Sequence, residues 1–251
     1  MPMPKIDLPV FEIKLVSVPK PIKFRPFLVK EEKLLLMALQ TEEEQTILNT
    51  IKQVINNCLV DQLDIDSIPI FDVEYLFLNI RARSVGETVD TAYVCRNIVD
   101  SHTDDAGEEI QVECKNLMNV KVNLLQIKPP INDLPTKIYM TKDIGMQLSY
   151  PTLETFKSIK NLILSENADQ IYELIFDCTE YVFDSNNVYY SKESSLEEFK
   201  LFLESLTQEQ FDKILEFFNS LPVIKQEIRH TCEKCSFQHD LVLEGLNDFF
   251  I

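Results

Sequence analysis

The chain has 251 residues, a formal charge of −17, 45% hydrophobic and 26% charged side chains, a composition that allows a packed core without disulfides and lies far from that of a disordered chain. An acidic surface with no Lys/Arg stripe repels phosphate backbones and anionic membranes, so no nucleic acid and no membrane is expected as a partner. Apolar runs such as Leu34-Leu35-Leu36-Met37-Ala38-Leu39 fall far short of the roughly 20 residues that span a bilayer.

Met1 to Lys20 contains Pro2, Pro4, Pro9 and Pro19 and lacks the continuous apolar core of a signal peptide, so export by that route is not expected. The cysteines should then meet a reducing cytosol, where metal ligation or burial is favoured over disulfide bonding. Residues 1–29 read as an extended arm in which Phe11, Ile13 and Leu15 alternate, and the prolines suit an edge strand better than a central one. Residues 30–90 read as helical. Lys30 to Leu39 forms one predicted helix. Thr41 with Glu44 has the form of a capping box, behind which Ile47, Ile51, Val54, Ile55 and Cys58 share a face, making Cys58 a core residue. Phe71 to Arg83 is largely apolar until its basic end and predicts a mostly buried helix ending near Gly86, with Arg81 and Arg83 at its negative C-terminal pole.

Over residues 91–150 the period changes to 2. Val120, Val122 and Leu124 face one way and Lys121 and Asn123 the other, the pattern of a β section. The polar stretch Asp100 to Glu109, around Gly107, predicts an exposed hairpin loop; Pro129-Pro130 closes the section, and Lys137 to Tyr150 continues it. Residues 151–222 read as helical again. Ile171, Leu174, Ile175 and Cys178 share a face, so Cys178 too is core, and Ser195 with Glu198 and Thr207 with Gln210 supply two capping boxes that divide off a helix pair. Leu196, Phe199, Leu203 and Leu206 line one helix; Phe211, Ile214, Leu215 and Phe218 line the next, which Pro222 ends. Phe202 and Phe217 fall off these stripes and suit either the core or a partner surface.

Chemistry concentrates in the C-terminal hairpin, residues 223–251. Strand-like Ile224 to His230 leads to Cys232-Glu233-Lys234-Cys235, and His239-Asp240-Leu241-Val242-Leu243 leads away. A Cys-x-x-Cys at a hairpin tip puts both sulfurs on one side, half of a tetrahedral zinc site. The other half is offered by the β section. Cys114 has apolar sixth and eighth successors, Val120 and Val122, as Cys235 has Leu241 and Leu243, and Ala92-Tyr93-Val94-Cys95 stands upstream of Cys114 as Arg229-His230-Thr231-Cys232 stands upstream of Cys235. Eighteen residues separate the first pair of cysteines and two separate the second, so the sequence reads as a duplicated β-hairpin with a long loop in one copy. Cys95, Cys114, Cys232 and Cys235 are therefore the candidate metal ligands, for a structural Zn²⁺. Four ordinary reduced thiols are the competing reading. A redox pair fits less well, because a strand and not a helix N-terminus follows the motif. His230 and His239 could replace half the set, although their spacing suits it poorly. With glycine only at 86, 107, 145 and 245 no phosphate-binding loop can be built, and none of the three histidines belongs to a nucleophile or metallohydrolase motif. No catalytic residue, no further cofactor and no small-molecule substrate is expected.

Three segments resemble the baseplate hub and hub-assembly proteins of T-even-type contractile-tailed bacteriophages. They are Lys23-Phe24-Arg25-Pro26-Phe27 continuing to Leu36, Phe71-Asp72-Val73-Glu74-Tyr75-Leu76-Phe77-Leu78-Asn79-Ile80-Arg81 continuing to Glu87, and Leu241-Val242-Leu243-Glu244-Gly245-Leu246-Asn247-Asp248-Phe249-Phe250. The resemblance implies a protein that builds the central baseplate hub by binding other hub proteins, without catalysis, present in the host cytoplasm during assembly and in the virion tail if retained. A transient assembly chaperone, absent from the finished virion, is the alternative. The expected fold is a single α+β protein over residues 1–251, its antiparallel β section of paired hairpins flanked by helices and its C-terminal hairpin packed on that section. The Pro-rich arm, Lys23 to Lys33, and Phe249, Phe250 and Ile251 are the candidate contact surfaces.

Overall fold

Alternating apolar residues in the N-terminal arm make a two-stranded ribbon, in which β1 (Phe11–Ile13) pairs antiparallel with β2 (Ile22–Phe24). The computed structural model describes residues 6–41, 43–103, 109–129, 134–155 and 168–245. Ile13, Leu15, Ile22 and Phe24 turn inward and are buried. The arm is tied down by the buried carboxylate of Asp72, which accepts the backbone N–H groups of Val16 (2.9 Å) and Ser17 (2.7 Å) and the Ser17 hydroxyl. Gly107, Pro130, Phe249, Phe250 and Ile251, named above as loop, breaker or contact residues, lie outside the described residues.

Three helices follow, α1 (Val29–Thr41), α2 (Glu44–Cys58) and α3 (Ile70–Ser84). The expected capping box at Thr41 does not form. Thr41 is the last residue of α1, its hydroxyl donating to the Ala38 carbonyl at 2.7 Å, and Glu43, in extended backbone, is the N-cap of α2 without a side-chain cap bond. An N-cap needs non-helical backbone, and Thr41 is still held in the preceding helix. α2 buries Ile51, Val54, Ile55 and Cys58, as its period predicts. α3 is buried on two sides: Val73, Leu76, Phe77 and Ile80 join the core of the arm and α2, whereas Leu78 and Ala82 join a second core. Arg81 and Arg83 occupy its last turn, and Gly86 (φ +147°) turns the chain into the first long strand.

That strand, β3 (Thr88–Val94), pairs along its length with β6 (Leu117–Asn123). Val89 and Val122 face α3 and meet Leu243 and Ile224 from the C-terminal hairpin, β11 (Lys225–Thr231) and β12 (Gln238–Glu244). Between β3 and β6 the expected loop is itself a ribbon: β4 (Ile98–Thr103) pairs with β5 (Glu109–Glu113), so strand occupies Asp100 to Thr103 and Glu109. Polar residues on both faces permit this, because neither face packs on a core. Ile98, Val99, Ile110 and Val112 are all exposed as well.

Two expectations for the second half are corrected. β7 (Lys137–Tyr139) and β8 (Gly145–Leu148) do not continue the β3–β6 pair; they join β9 (Thr179–Phe183) and β10 (Val188–Tyr190) in a separate sheet of order β10-β9-β8-β7. Residues 151–222 are accordingly not helical throughout, because β9 and β10 stand between α4 (Ala168–Asp177) and α5 (Leu196–Glu204). The run Thr179-Glu180-Tyr181-Val182-Phe183 is β-branched and aromatic, a composition that suits a pleated, half-buried surface. Both capping boxes form, Ser195 with Glu198 on α5 and Thr207 with Gln210 on α6 (Gln208–Asn219). Met146, Leu148, Ile175, Phe199, Leu203, Ile214 and Phe217 make the core of this half, so Phe217 is core, with Phe202 packed partly buried against it. The fold is α+β, with antiparallel pairing throughout the described strands. No helix among the described residues is long and apolar enough to cross a membrane.

Candidate metal centre

β3 runs directly into Cys95 and β11 directly into Cys232. The two ladders have the same register relative to their cysteines, Thr91 opposite Val120 in one and Ile228 opposite Leu241 in the other. Each ladder closes in the same way. Cys95 donates its N–H to the carbonyl of Asn116 (2.8 Å) and Cys232 donates to Phe237 (2.9 Å); Lys115 donates back to the carbonyl of Cys95 (2.9 Å) and Ser236 to that of Cys232 (2.8 Å). Lys115 (φ +53°) and Ser236 (φ +59°), each immediately after its second cysteine, are the positive-φ non-glycine residues among those described. A left-handed conformation costs such residues about 1–2 kcal/mol, so its recurrence at two equivalent places marks a turn that its surroundings impose.

The turns bring the four cysteines together from positions up to 140 residues apart. Cys95 Sγ lies 3.6 Å from Cys235 Sγ and Cys114 Sγ lies 3.8 Å from Cys232 Sγ, and all four sulfurs are within 4.8 Å of one another. All are free thiols. A tetrahedral ion with metal–sulfur bonds of about 2.3 Å separates its sulfurs by about 3.8 Å, so the set has the size of a four-thiolate site and could hold a metal ion. Cys95, Cys114 and Cys232 are buried with Met118, and Cys235 is half-buried at the rim. Around the sulfurs, Asn97 Nδ2 donates to Cys235 Sγ (3.6 Å) and Asn116 Nδ2 to Cys232 Sγ (3.5 Å), while His239 Nε2 is 3.1 Å from Cys95 Sγ. Lys234 Nζ donates to the carbonyl of Cys114 (3.0 Å).

These surroundings divide the thiols. Loss of hydration raises the pKa of Cys114 and pushes that of Cys95 up to about 12, although the backbone N–H of Asn97 opposes the shift at Cys95. Cys232 goes the other way, to about 6, because the N–H groups of Cys235 and then of Lys234 are aimed at its sulfur. The Cys232 thiolate is thus stabilised by backbone donors while Cys95 and Cys114 are held toward the thiol form, whose protons a bound cation would displace.

The four sequence-predicted residues are the ones the fold brings together. The spacing of His230 and His239 suits ligation poorly, yet His239 touches the cluster, and His230 lies directly opposite it in the ladder. Asn97 and Asn116 escaped the sequence reading; both stand two residues after a cysteine, where a short amide can reach sulfur. Elsewhere, a cleft of about 460 Å³ between β9–β10 and α5 has two carboxylates in its lining, Asp184 and Glu198. Both are committed to local structure. Asp184 accepts the N–H groups of Asn186 and Asn187 and the Tyr189 hydroxyl, and Glu198 closes the capping box of α5.

Residues 8–251 match a family model described as T4 bacteriophage base plate protein. Neither the curated proteins nor the solved structures give a significant match to the chain.

Proposed function

The chain belongs to the T4 bacteriophage base plate protein family, and from that premise we propose that it is a structural or assembly protein of the central hub of a contractile tail, acting by binding other hub proteins and not by catalysis. Family membership over residues 8–251 is the observation that carries this reading. Its surface supports a binding role. α1 leaves Val29, Leu36 and Met37 exposed, Val29 at 80%, and the edge strand β10 exposes Val188, Tyr189 and Tyr190. Contiguous exposed apolar side chains mark interaction sites, and aromatic residues are enriched in interface cores. The Lys23 to Lys33 segment contributes less than its sequence promises, since Phe24, Phe27 and Glu31 are buried.

For the cysteine cluster we propose a structural zinc ion held by Cys95, Cys114, Cys232 and Cys235. Four thiolates are a soft, closed set that suits zinc, disfavours the hard ions magnesium and calcium, and leaves no position for substrate. The ion would tie the C-terminal hairpin to the β3–β6 pair.

Co-purification from infected cells tests the binding role. Tagged parent protein should bring down baseplate hub proteins, and Val29→Asp combined with Met37→Asp should bring down less while its thermal transition is unchanged; parent protein recovered without hub proteins would refute the proposal. Mass spectrometry of purified virions separates a retained subunit from a transient assembly chaperone.

A further inference from the structure

Resting on the zinc reading above, we infer that the metal site is a pair of equivalent Cys-x-x-Cys knuckles, and that residues 98–113 are an insertion within one of them, an arm that the zinc frame carries but does not need. Eighteen residues separate Cys95 from Cys114, where two separate Cys232 from Cys235. Joining Asn97 to Cys114 would leave Cys95-Arg96-Asn97-Cys114-Lys115, the spacing of Cys232-Glu233-Lys234-Cys235-Ser236.

Three backbone features of the intact knuckle recur in the split one: the ladder register, the closing N–H to carbonyl pair and the left-handed residue after the second cysteine. Third positions correspond too, and each reaches across to the opposite knuckle, Asn97 to the sulfur of Cys235 and Lys234 to the carbonyl of Cys114. The insertion leaves and returns at one point, because the N–H of Cys114 donates to the carbonyl of Asn97 at 2.8 Å. Beyond that point the described residues of the ribbon give the sulfurs no wall. Ile98 to His102 and Glu109 to Glu113 are exposed on both faces. A lone two-stranded ribbon is at best marginally stable in water, so it cannot be what holds the cysteines.

The test uses the full chain and a variant in which residues 98–113 are deleted and Asn97 is joined to Cys114. Zinc content would be measured on both. Cobalt(II) would then be titrated as an optical probe of tetrahedral thiolate ligation, with a competing chelator to give affinity. Both proteins should bind one ion per chain with the same thiolate-to-cobalt absorption and affinities within about tenfold, the smallest effect usually seen on disturbing the supporting shell of a metal site. Cys235→Ser should weaken that absorption and the cobalt affinity in both. No metal in the full chain would refute the zinc reading itself, whereas metal in the full chain with a folded deletion variant that loses more than tenfold in affinity would overturn the insertion. Should the deletion variant not fold, Ser101→Pro with Ile110→Pro in the full chain decides: these residues lie in adjacent ladder pairs, so the change breaks the ribbon's pairing and should leave the cobalt spectrum and affinity as they are, and a larger than tenfold loss there overturns the inference.

Discussion

Two buried carboxylates hold the N-terminal segment, each by a different balance. Asp72 satisfies two backbone N–H groups and one hydroxyl of the arm. Asp72→Ala would strand those donors, and an expected loss of about 3 kcal/mol, measured by urea unfolding, follows from the cost of unsatisfied buried groups next to a charge. Glu31 is fully buried beside Arg25, with its second oxygen accepting the Leu28 N–H at 2.8 Å. Burial pushes its pKa up, but the Leu28 N–H and the hydrogen bond and charge of Arg25 together outweigh it, so the group titrates below its ordinary value of 4.5. Because the folded pKa is the lower one, this stabilisation is fully present above 4.5 and is lost as pH falls through the folded value. Unfolding free energy should therefore decline more steeply below pH 4.5 in the parent than in Glu31→Gln, and equal slopes would contradict it.

At the scale of elements, the four-stranded sheet depends on one close approach. A Cβ on Gly145 would lie 2.7 Å from the Ile138 carbonyl and would strike the Phe183 ring that covers β8. Gly145→Ala should cost about 1–3 kcal/mol, the range for overpacking a well-filled site, with a changed Phe183 ring signal in NMR spectra as its local mark. The helix pair α5–α6 is fixed at its entrances by reciprocal caps. Ser195→Ala should destabilise by about 1 kcal/mol in thermal unfolding, and Ser195→Gly by only a few tenths.

At the scale of the whole molecule, the described residues form three large apolar cores, and α3 is shared by two of them. The cysteine cluster lies at the far end of the second, where β3–β6 and β11–β12 meet through few other large apolar side chains. Chelation of the proposed zinc should therefore loosen these two hairpins and leave the cores around Val54 and around Ile214 protected. Amide exchange with and without chelator checks this, and uniform loss of protection over the chain would show that the ion supports the fold globally.

Much of this was legible in local pattern. Period 3.6 in α2, α5 and α6 and period 2 in β6 reflect which face meets apolar neighbours, and the two capping boxes need only residues three apart. Cys95, Cys114, Cys232 and Cys235 could be paired from sequence because a duplicated hairpin repeats its register around them. Thr41 failed as a cap because continuation of α1 decided its backbone, and β7 and β8 went to another sheet because their partner, β9, lay hidden in a segment read as helical. His239, Asn97 and Asn116 reach the sulfurs only when the knuckles meet face to face. Sequence by itself determined the α+β class, the buried helix faces and the four thiols, since each follows from side-chain type and near spacing. Tertiary structure alone decided the sheet partners of β7 and β8, the face-to-face meeting of the two knuckles and the company the sulfurs keep, because those depend on contacts between residues far apart in the chain.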